Sequence, residues 1–224
     1  MANTSRIRGF VPSHYLNGVQ WNGQFRIYYH PASDATTIGV GDPVTMLVGG
    51  GSDTSGRFPS VIRAAAATTI VGVAIGFGTV PTGIQGVDPA VMFDPTNLTL
   101  AYGPASTAYY VAVVDDPFVI FEVQEDSDTV NIGTTDVMGT VEMLAANCNT
   151  STGLSGYTID SSTATGLIDY YTWRIMRLVD RPDNAIGQYA KWYVLCNRHH
   201  YLSGGAAAPS SSDSASLSPS TSPS

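Results

Sequence analysis

The stretch from Tyr109 to Gln124, YYVAVVDDPFVIFEVQ, most constrains what this chain can fold into. Two runs of β-branched and aromatic residues flank a single break, Asp115-Asp116-Pro117, which predicts two strands joined at a tight turn. Pro117 has no amide hydrogen to give to a sheet, so we expect it to start the second strand rather than lie inside it. The stretch therefore predicts a β-hairpin and favours an all-β fold.

The rest of the chain continues in the same style. Short apolar runs punctuated by Gly, Pro and Asp predict about nine or ten strands, and neither a repeat of fixed period nor a sustained helical period is present. The run TIVGVAIGF, residues 69–77, is continuously apolar, which indicates a strand buried on both faces, with Gly72 and Gly76 marking a bulge or bend. The remaining predicted strands cover residues 24–29, 44–48, 58–65, 137–146, 157–160, 170–179 and 189–197. At 137–146 a short helix is the alternative, and the preceding Gly/Thr/Asp turn favours the strand. We expect a small β-barrel or a sandwich of short strands.

Three segments of different character divide the chain. Residues 1–24 read as an irregular lead and are expected to form an extended N-terminal arm. Residues 2–12 lie outside every predicted strand, so their deletion is expected to leave the domain folded. Residues 25–202 carry the β pattern and form the β domain. Residues 203–224 contain ten serines and three prolines. Such a composition cannot bury enough apolar surface to offset its ordering entropy, so a disordered Ser/Pro-rich flexible tail is expected.

Composition excludes several classes of protein. Eighteen acidic against ten basic residues give a net charge of −8, and Lys191 is the only lysine, so nucleic acid is not an expected partner. The longest apolar run, residues 70–77, is too short to cross a bilayer, and the N-terminus has no signal-peptide core, so no membrane association is expected. Cys148 and Cys196 lack C-x-x-C spacing and are expected to be buried free thiols, although one bridge is possible.

The acidic run from Glu125 to Asp128 first suggests calcium. An EF-hand loop needs oxygen ligands at alternate positions, a glycine at the sixth position and a glutamate at the twelfth. Counted from Asp126, Val130 occupies the fifth position and Val137 the twelfth, so the template fails. A solvated turn is the expected role, and no metal site is predicted.

Catalytic signatures are missing from the sequence. A single lysine excludes a P-loop, no G-x-S-x-G elbow occurs, and neither cysteine lies in a catalytic signature. His199 and His200 are adjacent, and neighbouring residues of an extended chain point to opposite faces, so they are poorly placed to share a metal. His14 and His30 are also expected to be structural. We therefore predict neither an enzyme nor a bound cofactor.

The N-terminal lead combines charge and apolar side chains in an otherwise acidic chain. Arg6 and Arg8 are two of only ten bases, and Phe10 and Val11 follow them. One interpretation is a loose, solvated terminus. The other is an arm that docks on a neighbouring acidic subunit, with the arginines against carboxylates and the apolar residues as anchors.

Three segments together resemble the auxiliary head proteins of tailed bacteriophages, the capsid decoration or cement proteins. They are GVGDPVTML followed by PSVIRAAAATTIVGVAIGF, then VVDDPFVIFEVQED, then IMRLVDRPDNAIGQYAKWYVLCNRHHYL. The likeness covers residues 37–202, and the Ser/Pro tail has no counterpart in it. It implies a structural virion protein, assembled in the host bacterial cytoplasm, that binds the outer surface of the capsid and stabilises the lattice of the major capsid protein.

Under this resemblance, the expected partners are the major capsid protein and the protein itself, as a homotrimer, with a homodimer as the alternative. Arg6, Arg8, Phe10 and Val11 are then the expected capsid contacts. A different class of function is a tail, fibre or head-spike module that binds a host surface glycan, since aromatic rings stack on sugar faces. The aromatic residues considered for it are Trp21, Tyr28, Tyr29, Tyr102, Trp173 and Trp192. Most of them lie in predicted strands, where packing in the core is their expected use.

Overall fold

The computed structural model describes residues 3–79, 100–166 and 171–202, and these residues form an all-β protein, as the sequence predicts. The tail at 203–224 lies outside the described residues. The strands are β1 (Val11–Tyr15), β2 (Arg26–His30), β3 (Pro43–Met46), β4 (Val61–Arg63), β5 (Gly72–Thr79), β6 (Tyr109–Val114), β7 (Val119–Gln124), β8 (Thr140–Leu144), β9 (Thr158–Thr165), β10 (Trp173–Leu178) and β11 (Lys191–Cys196), with one 3-10 turn at Thr134–Asp136. None of the described helical residues could form a span across a membrane.

The strands form two antiparallel sheets. The six-stranded sheet has the order β1-β7-β11-β10-β8-β9, and the five-stranded sheet has the order β2-β6-β5-β3-β4. The five-stranded sheet curls until its two edges meet at a single parallel bridge between Tyr29 and Ser60. One bridge does not close a barrel, so the sandwich is the alternative that fits.

The two larger buried clusters show how the sheets pack. The first lies between the sheets, where Val73 and Val114 of the five-stranded sheet pack in one cluster with Trp173 and Trp192 of the six-stranded sheet. The second is the inner side of the curled sheet and draws on all five of its strands. Its strand residues are Tyr28, Val44, Val61, Ala74, Phe77, Tyr109, Val111 and Val113. Because β5 contributes Val73 to the first cluster and Ala74 to the second, it is buried on both faces, as its continuous apolar run predicts.

The predicted hairpin at Tyr109–Gln124 is wrong in its pairing, although both of its strands exist. β6 pairs with β2 and β5, whereas β7 pairs with β1 and β11, so the chain changes sheets between them. Asp115 receives a hydrogen bond from the Tyr28 hydroxyl at 2.7 Å, and Asp116 receives one from the Phe118 amide at 2.8 Å. These contacts fix the bend of the chain between β6 and β7. Two apolar runs around a break look the same whether the strands pair or enter different layers, so the sequence pattern could not separate the two cases.

The glycines of β5 serve two different purposes. The register between β5 and β6 shifts between Ala74 and Gly76, which confirms the predicted bulge. At Gly72, a Cβ atom would lie 2.1 Å from the carbonyl oxygen of Val114, so only glycine lets the two backbones approach this closely.

The cysteines and the histidine of β2 are structural. Cys148 and Cys196 are both free and buried, which confirms that expectation. His30 is fully buried, its ring is stacked on Tyr109 at 4.3 Å between centroids, and its Nε2 lies 3.0 Å from Asp34. Such a histidine packs the core and is not presented to a ligand.

Candidate functional site

The N-terminal segment, residues 3–10, lies across its own domain. The Asn3 side-chain amide donates hydrogen bonds to the carbonyls of Ala185 at 2.7 Å and Gln188 at 2.9 Å, and its oxygen accepts one from the Ala185 amide. Further along, the Arg6 amide donates to Gln124 Oε1 at 2.6 Å. These bonds tie the start of the chain to β7 and to the loop before β11.

Phe10 completes this attachment. Its ring is stacked on Trp173 with centroids 4.2 Å apart, and only 1% of the residue is exposed. Val11 follows as the first residue of β1, half-buried and opposite Glu122 of β7. The prediction that residues 2–12 lie outside every strand is therefore wrong, since β1 begins at Val11. Phe10 is a core residue and not an exposed anchor, because β7 and Trp173 offer it a buried position that only the folded sheet creates.

The loop between β10 and β11 forms the opposite wall of the site. The Asn184 side chain donates hydrogen bonds to the carbonyls of Val179 at 2.8 Å and Lys191 at 2.9 Å, and it accepts one from the Lys191 amide at 2.8 Å. This triple contact folds residues 180–184 over the start of β11. As a result, Arg181 lies beside Lys191.

The segment and the loop enclose a cavity of about 220 Å³ that we call the basic pocket, lined by Arg6, Arg8, Arg181, Asp183 and Lys191. Four of the ten basic residues of a protein with net charge −8 thus line one cavity. The structure brings the predicted contact residues Arg6 and Arg8 together here and places Phe10 and Val11 outside it.

Carboxylates neutralise part of this charge. Glu122 pairs with Arg8 at 3.1 Å and with Arg181 at 2.7 Å, while Asp183 lies 3.9 Å from the Arg181 Nε. With these two carboxylates against four cations, the pocket keeps an excess of two positive charges. Burial, and then the charge of Arg181, lowers the pKa of Lys191 below its ordinary value.

Sequence reasoning missed Glu122, Arg181 and Lys191. The sequence does contain one signal for Lys191. It is the only lysine, and it begins a strand that is otherwise apolar, KWYVLC. A lysine at the start of a buried strand needs a nearby group that compensates its positive charge. The identity of that group depends on the loop geometry, which the sequence does not display.

In the folded protein, Asp160 lies close to two residues of the acidic run from Glu125 to Asp128. Asp126, Asp128 and Asp160 each offer an oxygen within 4.8 Å of the others, and these are the described residues that could hold a cation. The Ser161 hydroxyl donates to Asp126 at 2.6 Å and also lies 2.7 Å from the carbonyl oxygen of Val130. The expectation of a solvated turn at residues 125–128 is wrong for Glu125, which is fully buried, while Asp126 is tied to β9 by Ser161.

The adjacent histidines and three of the aromatic rings singled out in the sequence have structural roles. His199 is 3% exposed, and its Nδ1 accepts a hydrogen bond from the Tyr201 amide. His200 contacts Thr45 instead, so the adjacent histidines serve different neighbours. Among the rings considered for a glycan, Tyr28, Trp173 and Trp192 are at most 2% exposed. They pack the core, as expected from their places in strands.

Comparison of the chain with protein-family models, with curated proteins and with solved structures finds no match. Function is therefore inferred from the residues and from the geometry of the basic pocket.

Proposed function

We propose that this protein is a structural virion component that binds the outer surface of a phage capsid and stabilises the lattice of the major capsid protein. The proposal begins from the three segments that resemble capsid decoration proteins. The observation that carries it is the basic pocket, where Arg6, Arg8, Arg181 and Lys191 concentrate positive charge on an acidic protein. Complementary charge steers association and fixes the register of a docked partner, so a pocket of this kind suits an acidic patch on a neighbouring subunit.

Stabilisation under this proposal follows from mass action. A protein that binds the assembled lattice but not its dissociated subunits shifts the equilibrium towards the intact shell. Each contact needs only modest affinity when an oligomer engages several equivalent lattice positions at once. We propose a homotrimer, with a homodimer as the alternative, because closed assemblies fit the local symmetry axes of a shell. Sedimentation equilibrium of the free protein distinguishes these states.

The first test is composition of the particle. We expect the protein to co-purify with genome-filled heads at lattice stoichiometry, and its absence from purified virions would refute the role. The alternative, a tail, fibre or head-spike module that binds a host glycan, predicts the few copies of an appendage. It draws less support from the structure, since Tyr28, Trp173 and Trp192 are buried.

A charge substitution tests the pocket itself. Arg6→Gln is expected to weaken binding to heads about three- to tenfold at low ionic strength, because Arg6 is exposed and makes no ion pair with the described residues. The difference should shrink as salt is added, since screening acts on exposed charge. Co-sedimentation with heads measures the affinity.

Arg57→Gln is the matched control for this test. Arg57 is an exposed arginine that lines a different groove, so its loss changes the net charge equally without touching the basic pocket. Equal weakening by both substitutions would show that overall charge, and not the pocket, governs attachment.

A further inference from the structure

We infer that the basic pocket is an oxyanion-binding site of the isolated protein, in which the Lys191 ammonium donates to the bound group and the Arg181 guanidinium adds its positive charge. The inference concerns the free chain and holds whether or not the protein binds capsids. It rests on the Lys191 ammonium, which has no acceptor among the described residues, on the charge excess around it, and on the cavity that Lys191 lines.

The first cation beside the cavity is the Lys191 ammonium. Lys191 is 7% exposed, lines the basic pocket, and makes no side-chain hydrogen bond or ion pair with the described residues. An ammonium group carries three donors and is costly to remove from water without an acceptor. Its cationic neighbour Arg181 adds repulsion. An anion in the pocket would relieve both costs.

The second cation beside the cavity is Arg181. Its Nη2 donates to Glu122 at 2.7 Å, but its Nε is buried and lacks a hydrogen-bond partner. The nearest carboxylate oxygen, on Asp183, is 3.9 Å away, which is beyond hydrogen-bonding distance. Because this Nε has almost no accessible surface, a bound group cannot reach it, and Arg181 contributes to the pocket through the charge of its guanidinium, which shares Glu122 with Arg8.

The charge around these two cations selects an anion. Glu122 is shared between Arg8 and Arg181, and the guanidinium of Arg6 makes no ion pair with the described residues, so two positive charges stay uncompensated. A cavity of about 220 Å³ has room for a sulfate, a phosphate or the carboxylate end of an acidic side chain. All three present two or more acceptor oxygens, which is the geometry that arginine recognises best.

The ligand can come from two sources, a free inorganic oxyanion or an acidic side chain of another protein. Calorimetric titration of the full chain with sodium sulfate, and separately with tetraglutamate peptide, at constant ionic strength set by sodium chloride, separates them. We expect saturable sulfate binding. A peptide that binds more tightly than sulfate and displaces it identifies the side-chain source, whereas sulfate binding without peptide binding identifies the inorganic source.

Two variants assign the signal to the pocket. Lys191→Met keeps the length of the side chain and removes its charge, and it is expected to weaken sulfate binding at least tenfold. Arg6→Gln, at an exposed position that tolerates substitution, is expected to weaken it about threefold, and Arg57→Gln should leave it unchanged. Wild-type protein that shows no saturable heat with either ligand would overturn the inference. Equal sulfate affinity in wild type, Lys191→Met and Arg6→Gln would also overturn it.

Discussion

Phe10→Ala is expected to lower the free energy of unfolding by about 3–5 kcal/mol, the usual range for deleting a buried aromatic ring. The Phe10 ring is 1% exposed, is stacked on Trp173 and belongs to the cluster between the two sheets. Its loss removes apolar burial and leaves a cavity against Trp173, which the surrounding strands cannot fill. Urea unfolding monitored by tryptophan fluorescence measures the change.

The matched control is Ile7→Ala in the same segment. Ile7 is 43% exposed, so its truncation should change the free energy of unfolding by less than about 0.5 kcal/mol. Because Phe10 is buried and Val11 and Pro12 pair with β7, deletion of residues 2–12 should strongly destabilise the domain. The sequence alone suggested that this deletion would leave the domain folded. A Phe10→Ala protein with an unchanged urea midpoint would contradict the assigned packing of the segment.

Glu125→Gln is expected to stabilise the protein at pH 8 by on the order of 2–3 kcal/mol, and to lose this advantage as the pH falls towards 4.5. Glu125 is fully buried, its Oε2 accepts a hydrogen bond from the Trp192 indole at 2.9 Å, and its Oε1 has no partner among the described residues. Burial raises the pKa of this carboxyl to about 7 despite that hydrogen bond, and nearby Asp126 and Asp128 add to the shift.

The sign follows from proton counting. The unfolded carboxyl releases its proton near pH 4.5, whereas the folded one keeps it until about pH 7, so the folded state binds more protons in that interval. Stability therefore falls as the pH rises from 4.5 to 7, and the penalty is complete above it. Burial also raises the pKa of Asp42 to about 6, but Asp42 is present in both proteins and cancels in their difference.

Urea unfolding of wild type and Glu125→Gln at several pH values between 4.5 and 8 checks this expectation. The new amide can add a constant offset at every pH, so the slope of the difference is the quantity of interest. A difference that does not change with pH would show that the Glu125 carboxyl titrates alike in the folded and unfolded states.

The sequence located the strands better than their partners. The apolar runs at β5, β6 and β7 could be recognised because buried strands are built from consecutive apolar residues. The separation of β6 from β7 was not visible, since it depends on the bend at Asp115 and on neighbours supplied by β1 and β11. β1 itself, VPSHY, lacks a strong strand pattern and owes its place to pairing with β7.

Only some residues of the candidate site could likewise be predicted from the sequence. Arg6 and Arg8 stood out because bases are rare in this chain. Arg181 and Lys191 are more than a hundred positions away, and only the packed sheet brings them to the N-terminal segment. Asn184, whose side chain positions the loop, carries no mark in the sequence that distinguishes it from any turn asparagine.

The position of β11 also bears on how the protein is made. Among the strands of the described residues, this one emerges last from the ribosome, yet it lies in the interior of the six-stranded sheet between β7 and β10, and it supplies Lys191. Asn3 likewise has to wait for residues 185–188 before it can bind. Because such distant pairings form late and slowly, a nascent chain holds an unjoined sheet and no basic pocket. Release of the chain through β11 is therefore the step that completes the basic pocket, so the order of translation sets when its four basic residues come together.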